Sequence, residues 1–171
     1  MDKILHTQFT HILNGINQQS DEIEMAGRLL AQAAFGQGNI YVRGFGDLEL
    51  LEAWIAESET ALPRTGPFEG IAPITTADRV LVLSKFIDEP LVTFLQELDE
   101  VGIEYVLICN RKNPVTEVEF DFDTVHHFID LKSPREVIPT PDLDRIVNPY
   151  VMSFMYVYFQ MYALVMEMGE G

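Results

Sequence analysis

The chain has 171 residues, with 27 acidic side chains against 11 basic ones and a formal net charge of −16. One domain, residues 1–171, is the expectation at this length, and a hydrophobic content of 47% supplies a core and argues against a wholly disordered chain. The charge argues against nucleic acid or an anionic membrane surface as a partner, since their phosphates would be repelled, and the single cysteine excludes an internal disulfide framework and suits a reducing, cytoplasmic compartment.

Residues 2–17 predict a helix, with Ile4, Leu5, Phe9, Ile12, Leu13 and Ile16 at helical spacing. No basic stretch leads into a long apolar run, so no signal peptide is expected. A second helix follows over 21–35, capped by Ser20 or Asp21 and ended by Gly36 and Gly38. The period then changes. Residues 39–43 form a short β-rich run that closes in Gly44-Phe45-Gly46, and an amphipathic helix begins near Asp47 with Leu48, Leu51, Trp54 and Ile55. A weak strand is expected at Thr60–Pro63 and a loop over 64–77. Residues 79–84 are an unbroken apolar strand, as in a sheet covered on both faces.

Pro90 opens the next helix, which stops at Gly102. Residues 104–109 are a second buried strand, and 126–131 the last. Asn148-Pro149 is a good cap for a final apolar helix. That helix is long enough to span a membrane. Ser153, Gln160 and Glu167 recur every seven residues with Tyr156 on the same stripe, and no Lys or Arg follows, so a buried or dimer-facing helix is favoured. Strands alternating with helices predict an α/β fold with a parallel sheet and right-handed crossovers.

Ligands of such sheets sit beyond the carboxyl ends of the strands. Arg43, Arg64, Lys85, Arg111, Lys112, Lys132 and Arg135 are all placed there by the expected strands. Seven of eleven bases at one edge of an acidic chain suggest a notch for a small anion, although loops collect charge in any case and Asp47, Asp88, Glu89 and Asp130 share the edge. His126 and His127 would face opposite sides of a strand, and His6 and His11 are off chelating spacing, so no metal or other cofactor is expected. Cys109 reads as a packed thiol.

Ile40-Tyr41-Val42-Arg43-Gly44-Phe45-Gly46, Ala77-Asp78-Arg79-Val80-Leu81-Val82-Leu83-Ser84 and Ile108-Cys109-Asn110 leading to Asn113-Pro114 resemble the SIS (sugar isomerase) domain family. The likeness covers roughly residues 3–167, and its nearest subgroup is the compact phosphoheptose isomerase-like one, in a bacterial branch. It implies a three-layer α/β/α sandwich with a five-stranded parallel sheet in flavodoxin-like order, flanked by extra terminal helices. It also implies a homodimer or higher homo-oligomer and a phosphorylated sugar as ligand.

The strand-end placement offers Arg43, Arg64, Lys85 and Arg111 as binding residues, and the turns that carry the resemblance add Gly44, Gly46, Asp47, Ser84 and Asn110. The family's Ser-x-Ser-Gly-x-Thr loop reads Ser84-Lys85-Phe86-Ile87-Asp88-Glu89 here, so its phosphate cradle is altered. Trp54 stands where the isomerases place a histidine, and the partner of Gln160 falls at Met168. Glu57 is left as the catalytic candidate. The implied function is a sugar-phosphate isomerase with degenerate motifs; the alternatives are a non-catalytic ligand-sensing domain and a purely structural or interaction protein.

Overall fold

The computed structural model describes residues 2–115 and 118–170. Two helices lead, α1 (Asp2–Asn17) and α2 (Ser20–Ala34). Then come β1 (Ile40–Gly44), α3 (Leu51–Glu57), β2 (Thr65–Pro67), β3 (Arg79–Leu83), α4 (Glu89–Glu100), β4 (Glu104–Cys109) and β5 (Phe128–Asp130). A small antiparallel hairpin, β6 (Ile138–Pro139) and β7 (Arg145–Ile146), precedes α5 (Tyr150–Glu170).

The first five strands form one parallel sheet in the order β2-β1-β3-β4-β5, the flavodoxin-like order expected. Every residue of β3 is buried, and so are Tyr105–Cys109 of β4. Alternation along each strand divides the core in two. Leu81, Leu83, Val106 and Ile108 face α2 and α5, whereas Val80, Val82, Tyr105 and Leu107 face α4. Burying each such side chain contributes about 1.5–3 kcal/mol, so the two layers hold the sheet between them.

The two faces are covered differently. The β1–β2 crossover carries α3 on the side of α2 and α5, and the β3–β4 crossover carries α4 on the other. The β2–β3 and β4–β5 crossovers also lie on the α4 side but contain no α-helix among the described residues. Phe68, Ile71 and Ile74 of the first, and Val118, Phe120 and Phe122 of the second, pack there instead. Aromatic loops do the work of helices, which leaves that face irregular.

One expectation is corrected. The edge strand is Thr65–Pro67, not Thr60–Pro63. Leu62 is buried in the core and Tyr158 donates its hydroxyl to the Thr60 carbonyl, so the earlier segment is pinned as a turn below α3. The polar stripe of α5 runs from buried to exposed along the helix. Ser153 is fully buried and satisfied by the Pro149 carbonyl at 3.2 Å, Gln160 is half-buried, and Met152 and Phe159 are exposed instead. By length and composition α5 could cross a membrane; here it lies along α1 and α2 with Phe154, Val157, Tyr158, Met161 and Val165 buried.

Candidate functional site

The strands remain parallel, but the order in which the chain adds them reverses between β1 and β3, and the turns after these two strands open a crevice there. After β1, Gly44 lies so close to Leu48 that an added Cβ would sit 2.3 Å from its carbonyl oxygen. Gly46 adopts φ +60°, a conformation open to glycine at little cost. The chain then makes one 3-10 turn, Gly46–Leu50, before α3. After β3, Ser84 and Lys85 lead to Asp88 at the N-terminus of α4.

Both turns are already supplied with carboxylates. The Gly44 N–H donates to Glu52 Oε1 at 2.7 Å, and the Leu91 N–H donates to Asp88 Oδ1 at 3.0 Å. Backbone donors at such turns are the usual seats of phosphate oxygens. Here the protein's own anions occupy these two.

Beyond them lies an open cleft of about 410 Å³, walled by Phe45, Phe86, Val115 and Tyr150 and carrying Asp47, Ser84, Lys85, Asp88 and Asn113. The Tyr150 hydroxyl donates to Asp47 Oδ2 at 2.8 Å. Burial, and then this bond, push the phenol up to about 12. The Lys85 ammonium stands 4.8 Å from the Tyr150 ring centroid and 5.2 Å from that of Phe86. The ion pairs among the described residues are Arg28–Glu24, Arg79–Glu104 and Lys132–Asp130. Lys85 thus faces the cleft on aromatic rings, without a carboxylate partner. The Ser84 hydroxyl donates to the Phe86 carbonyl at 2.6 Å, which shapes the loop and leaves its oxygen free to accept.

The cleft unites Gly46, Asp47, Ser84 and Lys85 of the expected residues. Glu57 lines an adjoining cleft of about 480 Å³ that shares Gly46 and Asp47 with the first. The others go elsewhere. Arg43 alternates toward the α4 face, where its guanidinium lies 4.9, 5.8 and 5.9 Å from the rings of Phe45, Phe68 and Phe94. Asn110 is buried and exchanges two hydrogen bonds with the backbone of Ser133, pinning the segment after β5. Arg111 turns to the outer edge of β5, over Phe122 and Phe128.

Arg64 is a correction. It precedes β2 rather than following a strand, and its guanidinium donates to the carbonyls of Gly36 and Gln37 at the amino edge of the sheet. The seven basic residues therefore do not converge. His126 and His127 differ from expectation as well: they precede β5 and border one groove, and burial pulls the His127 imidazole down. Cys109 is buried, and burial followed by the nearby Asp130 pushes its thiol well up, as befits a packed, unreactive group.

Two contributors were missed from sequence. Glu52 reaches back eight residues to Gly44, and Tyr150 meets Asp47 across 103 residues. Glu52 carries a local signal, an acid in the first turn of a helix after a glycine turn. Tyr150 carries none, because only packing of the last helix brings it there.

A family model described as Domain of unknown function (DUF2529) matches residues 1–169. The chain is also similar to "Uncharacterized protein YwjG" of Bacillus subtilis (strain 168), with 32% identity over 161 residues, 92% of this chain and 91% of the relative. The domain built on this sheet and its switch-point cleft therefore belongs to the DUF2529 family.

Proposed function

We propose that this protein is a cytoplasmic, non-catalytic ligand-binding domain that takes a phosphorylated sugar or related small anion in the cleft between β1 and β3. The observation that carries the reading is Lys85, a cation at the switch point with no carboxylate partner among the described residues. It supplies a counter-charge for one anionic group. Asp47 and Asp88 accept hydrogen bonds from hydroxyls, and the rings of Phe45 and Tyr150 offer flat apolar walls to a sugar's C–H face. The carboxylates of Glu52 and Asp88 at the backbone donors disfavour deep burial of a dianion, so the phosphate lies at the outer, Lys85 side.

Thermal denaturation with sedoheptulose 7-phosphate and with inorganic phosphate tests this. A sugar phosphate at a hundred times its Kd stabilises by about 2.7 kcal/mol, which raises Tm by roughly 5–10 °C for a chain of this size. Lys85→Ala is expected to abolish the shift. No shift with any phosphorylated sugar at millimolar concentration refutes the reading.

A second reading, an aldose–ketose isomerase, draws on the shared wall of the two clefts, which brings the Glu57 cleft against that of Lys85. Glu57 would then be the base for proton transfer. Turnover of sedoheptulose 7-phosphate that disappears in Glu57→Ala assigns it; stabilisation without turnover leaves the binding role. Homodimerisation belongs to the same proposal, through the exposed Trp54, Met152 and Phe159 on α3 and α5.

A further inference from the structure

A second groove, of about 480 Å³, runs along the outer edge of β5, away from the Lys85 cleft. β5 is the last strand of the sheet, so among the described residues one side of its backbone has no strand neighbour. Leu107 N–H bonds the His127 carbonyl, and Leu107 is the register partner of Phe128. In a parallel ladder that pattern turns the N–H and C=O of Phe128 itself outward. Two residues on, the outward groups of Asp130 are occupied: its N–H donates to Gln19 Oε1 and its carbonyl accepts from Gln19 Nε2, both at 2.8 Å. A side-chain amide stands there as a peptide group of another strand would. The edge thus accepts an amide partner with good geometry at Asp130 and, among the described residues, stays open at Phe128.

The groove beside Phe128 has chemistry suited to one class of partner. Phe122 and Phe128 stack with centroids 4.4 Å apart, and with Met25 they form an apolar floor. Asp21, Glu22 and Asp123 rim it against the single cation Arg111, whose guanidinium already rests on the two rings. The excess of carboxylates repels an acidic segment and attracts a basic one.

We propose that the open edge of β5 docks an extended basic polypeptide segment, which adds a short strand beside Phe128 and sets its cationic side chains against Asp21, Glu22 and Asp123. Main-chain bonds to Phe128 supply register, and alternate side chains reach the aromatic floor. Gln19 ends the added strand, since Asp130 is no longer available.

The probe is an acetylated, amidated peptide alternating lysine and valine, about six residues long to match a typical strand. It is titrated into the full chain while backbone amide NMR signals are followed. Binding is expected to shift the Phe128 amide among the most affected signals. Replacing lysine with glutamate in the peptide should weaken binding more than about tenfold, as reversed charges at the rim would. The protein variant Asp21→Asn/Glu22→Gln, checked for folding by circular dichroism, should weaken it severalfold. A peptide N-methylated on alternate amides should lose binding. Equal affinity for the lysine and glutamate peptides, undiminished binding of the N-methylated peptide, shifts centred on Lys85 instead, or no binding at about 1 mM would each overturn the proposal.

Discussion

The hydroxyl of Tyr150 and the carboxylate of Asp47 meet at 2.8 Å and tie the first turn of α5 to the turn after β1. The bond joins the end of the chain to the floor of the switch-point cleft, and it holds one of the two carboxylates that a ligand would use.

Removing the hydroxyl in Tyr150→Phe should cost about 1 kcal/mol near neutral pH, the scale of a partly exposed hydrogen bond. Its clearer signature is alkaline. The phenol is raised from 10.0 to about 12, as is that of Tyr105, where burial leads and Asp99 adds. Below pH 10 these groups are protonated in both states and contribute no pH dependence. Between pH 10 and 12 the unfolded chain releases protons that the native one retains, so stability falls with rising pH. Urea midpoints measured across that window should drop for the wild type and drop less for Tyr150→Phe. An identical fall in both proteins would show that this phenol is not held as described.

The two glycines of the first turn should differ. A methyl group at Gly44 meets backbone, 2.3 Å from the Leu48 oxygen, and cannot be relieved by a rotamer change. Gly44→Ala is therefore expected to cost about 3 kcal/mol. Gly46 has open space within 4 Å and only its φ of +60° to defend, so Gly46→Ala should cost roughly 1–2 kcal/mol. Chemical denaturation of both variants checks the order, and the reverse order contradicts the packing.

Gln19 is predicted to be a structural residue out of proportion to its place in a turn. Gln19→Ala strips both outward backbone groups of Asp130 of their partners in a half-buried setting. The expected loss is about 2 kcal/mol, accompanied by faster hydrogen exchange at the Asp130 amide. Unchanged exchange there would mean that water replaces the side chain without penalty.

Local patterns in the chain foretold much of the architecture. Apolar spacing marked α1 and α2 with Ile16, Ile23 and Leu30 inside, and the continuous apolar runs marked β3 and β4. Pro90 announced the start of α4, and Gly102, at φ +73°, its end. Each of these signals acts within a few residues, through hydrogen bonds or burial that the neighbouring chain itself completes. The weak strand failed for a related reason. Its three residues, Thr65–Pro67, are too few to show a period, and their pairing with Ile40–Val42 is long-range.

The sequence by itself determined an acidic α/β domain with a parallel sheet, its buried strands, and the clustering of Gly46, Asp47, Ser84 and Lys85 at one strand-end crevice. Only the tertiary structure decided where the remaining cations point. Arg43 and Arg111 turn away onto aromatic rings, and Arg64 caps the opposite edge. Strand parity, and the loops that replace helices over the α4 face, set those directions, and neither is written in local periodicity. The charge of −16 likewise does not reveal that Glu52 and Asp88 fill backbone anion seats while Lys85 has no carboxylate partner among the described residues. A count sums charges, but a site depends on which of them the fold brings within a few ångströms, where the Coulomb interaction and its screening are decided.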